Sequence, residues 1–140
     1  MIDDVDKFHK KFGLPTDGQD VIFGADVAAA IDAYGFRLKF LGEEIQEFDD
    51  AVRTGDRVKA FDALIDLTYV ALGTALFMGV TPRQWQAGWQ AVHDANMAKV
   101  RAAKPEDSKR GTAYDVVKPQ GWRPPERQLE EILSWQQASN

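Results

Sequence analysis

The chain has no cysteine, which excludes disulfide frameworks, thiolate metal sites and a cysteine nucleophile, and is compatible with a reducing cytoplasm. It also lacks any surplus of positive charge, since 17 Lys and Arg stand against 22 Asp and Glu for a net charge of -5. Without a basic face, binding to duplex nucleic acid has no electrostatic footing, and none is expected. The opening MIDDVDKFHKKFG has no basic head, apolar middle and small-residue cleavage site of an export signal. No run reaches the ~20 apolar residues that a membrane-spanning helix needs. The nearest candidate, Leu67 to Pro82, contains Thr68, Thr74 and two glycines and reads as a buried core helix. A cytoplasmic protein without a membrane partner is the expectation. Strand patterning is missing too, because no stretch sustains period-two alternation, and there is no repeat, low-complexity tract or domain boundary.

What is present suits one compact domain: 140 residues, 44% hydrophobic and 28% charged, with 104–140 as an extended C-terminal tail. Phe8 and Phe12, after acids at 3, 4 and 6, predict a short first helix ending at Gly13 and Pro15. Leu41, Ile45, Phe48 and Val52 repeat on one face of a long amphipathic helix from Asp26 to about Arg53, stopped by Thr54-Gly55-Asp56. The next segment, Asp56 to Met78, is apolar on nearly every side after Phe61, as in a helix surrounded by others, and ends at Gly79. Thr81 as N-cap and Pro82 at the first position open a fourth helix, TPRQWQAGWQAVHDANMAKVRAA, running to Ala103 and carrying Trp85, Trp89, Val92 and Met97. Residues 104–125 are polar and broken by Pro and Gly, and ERQLEEILSWQQ reads as a short last helix or turn. The predicted fold class is therefore all-α, a bundle of about four helices.

Inside the apolar segment FDALIDLTYVALGTALFMGV stand Asp62 and Asp66, one turn apart. A carboxylate buried without a partner costs several kcal/mol, so each must be protonated, paired or bound to a cation. The preceding helix supplies more acid: GEEIQEFDD holds Glu43, Glu44, Glu47, Asp49 and Asp50. Glu43, Glu44 and Glu47 share one side of that helix, offset in part by Lys39 and Arg53. If the two helices are antiparallel neighbours across the turn, Glu44 and Glu47 lie about as far before it as Asp62 and Asp66 lie after it. All four then converge. Oxygen ligands without thiolate or paired histidine suit a hard cation such as Mg²⁺ or Mn²⁺, which keeps open positions for substrate phosphates. The plainer reading is a solvated acidic helix face with Asp62 and Asp66 capping or pairing locally. The whole set together favours the metal.

Three stretches, EEIQE, DALIDLTYVALGTAL and VHDANMAKV, resemble the MazG-like all-α nucleoside triphosphate pyrophosphohydrolases. That superfamily includes phosphoribosyl-ATP pyrophosphohydrolase and dimeric dUTPases. VVKPQGWRPPE at 116–126 is similar to the tail of the phosphoribosyl-ATP pyrophosphohydrolase-like branch. Glu44 and Glu47 match the family's first E-x-x-E, with Glu43 as an additional acid. The second motif departs from the family's E-x-x-D: Lys59 and Ala63 stand three before the two aspartates, leaving D-x-x-x-D at Asp62 and Asp66. An i, i+4 pair still shares a helix face.

The resemblance implies hydrolysis of a nucleoside triphosphate between the α and β phosphates, giving a nucleoside monophosphate and pyrophosphate. It implies Mg²⁺, with Mn²⁺ as the alternative, held by Glu44, Glu47, Asp62 and Asp66, and a water oriented or deprotonated by Glu43, Glu44 or Glu47. Asn96 and Lys99, matching the family's N-M-x-K, are the phosphate-binding candidates, with Lys118 in the tail loop beside them. His93 reads as a solvent-exposed helix residue, and Trp85, Trp89 and Tyr69 as core or interface residues. The resemblance also implies a homodimer or homotetramer. Three other readings stand beside it: phosphoribosyl-ATP as the substrate, in histidine biosynthesis; a non-enzymatic helical dimerisation module; and a ferritin-like carboxylate bundle. The last is disfavoured because His9 and His93 follow no Glu at the required spacing.

Overall fold

Each helix begins and ends where local chemistry places it. In the computed structural model, which describes residues 1–16 and 18–135, α1 spans Ile2–Phe12, with Asp3 and Asp4 in its first turn and His9, Lys10 and Lys11 in its last. That charge order opposes the helix dipole favourably. Gly13, at φ 65°, closes it in the left-handed conformation. Asp26 caps α2 (Val27–Thr54) by accepting from the Ala28 and Ala29 amides, both at 3.1 Å. Gly55, φ 71°, ends α2, and Asp56 at once caps α3 (Arg57–Phe77) by accepting from the Lys59 amide at 3.0 Å. So short a turn makes α2 and α3 antiparallel neighbours, and they share the most extensive packing between elements of the chain.

The chain divides into two compact units, residues 1–82 and 83–140. In the first, α1 and α2 pack on α3, and the core is Ile2, Val5, Ala51, Ala63, Val70, Leu72, Ala75, Leu76, Phe77 and Val80. The loop after α1 is tied to the end of α3, with the Val21 and Ile22 amides donating to the Phe77 carbonyl at 2.9 and 3.1 Å. In the second, α4 (Pro82–Met97) is followed by a ladder of β1 (Val100–Arg101) and β2 (Val116–Val117), antiparallel with Val100 opposite Val117, and by α5 (Glu126–Leu133). Gln84 of α4 donates to the Ile132 carbonyl of α5 at 3.2 Å.

The all-α expectation is met, and the ladder is too short to leave a period-two pattern. The ends of the first three helices and the start of the fourth fall within a residue of those expected, but the fourth, expected to run to Ala103, ends at Met97 because the chain turns there into β1, and the last ends at Leu133; the expected last-helix residues Gln136 and Gln137 and the loop position Asp17 lie outside the described residues. Two expectations need correction. At 21 residues α3 is long and apolar enough to cross a bilayer by length and composition, although it serves here as the helix on which α1 and α2 pack. It is also not surrounded: its first half exposes Val58, Phe61, Leu64 and Ile65, and only Ala63 and the residues from Val70 onward are buried.

Candidate active site

The inward stripe of α2 is unusual for a core helix, because its buried residues are Arg37, Glu44 and Ala51, one every seven positions. Two charges thus point into the unit. Glu44 is 7% exposed, and its Oε2 is buried with no hydrogen-bond partner among the described residues. Burial pushes the Glu44 carboxyl above its ordinary value, and the charges of Glu47, Asp66, Glu43 and Asp62 push it further the same way. Those four acids thus lie near enough for their charges to act on Glu44, the buried member of the set. Asp62 and Asp66, read from sequence as the buried pair, are exposed. Along their half of α3 only α2 packs closely, burying Ala63, while α1 meets α3 farther on, at Tyr69 and Phe77.

The rest of the acidic set is differently engaged. Glu43 faces Lys39 at 3.6 Å and Asp49 pairs with Arg53 at 2.6 Å, both along their own helix. Among the described residues no three histidine or carboxylate side chains already stand in a metal-holding group. The donor set nevertheless fits a hard cation. Glu44 brings a buried oxygen in need of a partner, and the charge of its acidic neighbours is what a divalent ion neutralises.

Glu44 and Asp66 border one cavity of about 400 Å³, whose other walls carry Arg37, His9 and the rings of Phe8, Phe36, Phe40 and Tyr69. Arg37 is 5% exposed, and burial lowers its pKa. It donates from Nη2 to the Val70 carbonyl at 2.5 Å and from Nε to Thr74 Oγ1 at 3.1 Å. The Phe36, Phe40 and Phe77 rings surround it with centroids at 5.5, 5.5 and 5.0 Å. His9 Nδ1 bonds to the Pro15 carbonyl. Gly73 makes room for both: a Cβ there would lie 2.9 Å from Arg37 Nη2 and 3.0 Å from His9 Nε2. Neither Arg37 nor His9 stood out in the sequence. The available signal was spacing, since Arg37 lies seven before Glu44 and so shares its face.

In the second unit, the three phosphate candidates cluster. Lys99 Nζ donates to Asn96 Oδ1 at 2.7 Å, and the Lys99 and Lys118 ammonium groups lie 5.7 and 4.2 Å from the Trp122 ring centroid. Trp122 is itself fixed by donating from Nε1 to the Ala95 carbonyl at 2.7 Å. His93 is exposed, in keeping with its reading as a solvated residue.

The family model for phosphoribosyl-ATP pyrophosphohydrolase matches residues 5–96. The match takes in Glu43, Glu44, Glu47, Asp62 and Asp66, together with His9 and Arg37, and it ends at Asn96, short of Lys99 and Lys118. No curated protein matches the chain.

Proposed function

The chain belongs to the phosphoribosyl-ATP pyrophosphohydrolase family of the MazG-like all-α superfamily, and from that membership we propose that it hydrolyses a nucleoside triphosphate between the α and β phosphates. The products are a nucleoside monophosphate and pyrophosphate, and the setting is the cytoplasm. The observation that carries the reading is Glu44: a buried carboxylate with an unpartnered oxygen, on which the charges of Glu47, Asp66, Glu43 and Asp62 act. Such an arrangement is costly unless a cation joins it. Glu44, Glu47, Asp62 and Asp66 would hold Mg²⁺ or Mn²⁺. When bound, the ion neutralises charge on phosphate oxygens and makes a bound water more acidic.

The chain's own groups do the rest. One of Glu43, Glu44 and Glu47 orients the attacking water or takes its proton as oxygen bonds to the α-phosphorus. Asn96, Lys99 and Lys118 supply donors for phosphate oxygens.

A homodimer or homotetramer forms part of the proposal, and α2 supports it. The helix buries Arg37 and Glu44 yet leaves Ile31, Leu38, Ile45 and Val52, again seven apart, and Val27 and Tyr34 between them, exposed. A continuous apolar seam on a 28-residue helix is what a second helix covers.

Pyrophosphate release from ribo- and deoxyribonucleoside triphosphates and phosphoribosyl-ATP, with Mg²⁺, Mn²⁺ or EDTA, tests the function. Metal-dependent release lost in Glu47→Gln and Asp62→Asn, with helical circular dichroism unchanged, is the expected result. Preference for phosphoribosyl-ATP, which the matching family's name favours, would reassign the substrate. No release from any substrate would leave a helical dimerisation module.

A further inference from the structure

The cavity beside Glu44 holds a second unmatched group. Arginine has five N–H donors, and Arg37 commits Nε and Nη2 to Thr74 and Val70. Its Nη1 makes no hydrogen bond among the described residues, and no carboxylate there is within ion-pair distance. Arg37 therefore keeps donors that the protein does not use, and an acceptor entering the cavity can take them. One cavity is thus bordered by a buried carboxylate oxygen without a partner at Glu44 and by a guanidinium with donors to spare at Arg37. Seven residues of α-helix separate them, about 10 Å along the axis.

Between the two ends the walls are aromatic. Phe8 and Tyr69 meet edge to face with centroids 5.6 Å apart, and the Phe36 and Phe40 rings flank the guanidinium. At about 400 Å³ the cavity falls within the ~300–1,000 Å³ of small-molecule sites. Its contents are therefore specified from both ends: a cation-bound anion at Glu44, a flat apolar-faced body along the rings, and an acceptor at Arg37.

We propose that this cavity is the nucleoside pocket of the pyrophosphohydrolase site, and that Arg37 contacts the base and selects those with a carbonyl at the edge farthest from the sugar. The inference rests on the reading of the acids given above, which puts the phosphates at the Glu44 end and so the base at the other. Arg37 has donors and no acceptor. It therefore pairs with the distal carbonyl of uracil, thymine, guanine or hypoxanthine, and meets the amino group of cytosine or adenine donor to donor. The guanidinium is pre-set for the task, being pinned to α3 at Val70 and Thr74 and closed in by His9, so little ordering remains on binding.

The test compares near-isosteric pairs, UTP with CTP and ITP with ATP, by kcat/KM for pyrophosphate release, in the wild type, Arg37→Lys and Arg37→Met. The same comparison is made by calorimetric binding of the corresponding monophosphates in EDTA. The carbonyl partner of each pair should be preferred by about ten- to a hundred-fold, as expected for one hydrogen bond to a charged group. Arg37→Met should bring both ratios near one, chiefly through KM, and Arg37→Lys should restore part of the preference. An active wild type that favours ATP or phosphoribosyl-ATP, or a base preference unchanged in Arg37→Met, would overturn the pocket assignment alone. A wild type inactive on every triphosphate with every metal would overturn the hydrolytic reading and this inference with it. Should Arg37→Met lose its helical signal, Tyr69→Ala takes its place: about a ten-fold rise in KM for UTP supports the pocket, and an unchanged KM overturns it.

Discussion

Glu44→Gln should make the metal-free protein more stable while abolishing its activity. Glu44 Oε2 is buried and has no partner among the described residues, and leaving such a group unsatisfied costs about 1–3 kcal/mol, more when it is charged. Glutamine has the same shape, removes the charge that Glu47, Asp66, Glu43 and Asp62 repel, and offers them an amide donor. A gain of about 1–2 kcal/mol at pH 7 follows, which for a domain of this size is roughly 3–8 °C in Tm. The pH dependence has a definite sign. Because the folded-state pKa of Glu44 lies above its ordinary 4.5, the residue's favourable contribution is complete below pH 4.5 and is lost as pH rises through the folded value. The gap between variant and wild type should therefore open toward neutral pH and close on acidification.

Divalent metal should reverse the order. A ligand at a hundred times its Kd adds about 2.7 kcal/mol to the state that binds it, so Mg²⁺ should raise the wild-type Tm above that of the variant, which should not respond. Thermal melts followed by circular dichroism, at pH 5 and pH 7 in EDTA and in Mg²⁺, read all four values, with pyrophosphate release measured alongside. A variant no more stable than the wild type at pH 7 in EDTA would show that Glu44 is satisfied where it stands, and would remove the basis for the metal site.

Gly73→Ala reverses the usual effect of that substitution: helix propensity favours alanine by about 1 kcal/mol, but its Cβ would press on Arg37 Nη2 at 2.9 Å and His9 Nε2 at 3.0 Å. With overpacking costing about 1–3 kcal/mol, a net loss of up to about 2 kcal/mol is expected in urea unfolding, and a stabilised variant would show that Arg37 is not held there. Leu38→Glu with Ile45→Glu, both on the exposed seam of α2, should lower the sedimenting mass without unfolding the chain; an unchanged mass would place the subunit contact elsewhere. In the second unit the Ser108 hydroxyl, aided by the Val116 amide and Arg110, holds the Asp115 carboxyl down to about 2 from 3.8. That stabilisation is present above pH 3.8 and lost as pH falls through about 2. Ser108→Ala should thus lower the Tm at pH 7 and matter little at pH 2, and an equal loss at both would assign the hydroxyl another role.

The helices could be read because their ends are local. Asp26, Asp56, Gly13 and Gly55 each act on the backbone within a few residues of themselves, so no tertiary knowledge is needed to see them. The two-residue strands could not be read, since two residues are too few to establish a period.

Burial failed where the pattern was strongest. Periodicity shows which side of a helix is apolar but not what covers it. Ile45 and Val52 mark a true apolar face of α2, yet both are exposed, and the neighbouring stripe of Arg37, Glu44 and Ala51, about 100° round the helix, packs inward. An uninterrupted apolar stretch likewise made Asp62 and Asp66 look enclosed, when the first half of α3 buries only Ala63 and α1 meets the helix farther on, at Tyr69 and Phe77. Both errors have one physical source: the sequence records how much apolar surface an element carries, not which part of it the fold covers. The inversion is informative in itself. A helix that spends its inward face on an arginine and a glutamate forgoes the stabilisation an apolar stripe would provide, and under the pocket proposal the cavity that those two charges border is where that loss would be turned to use.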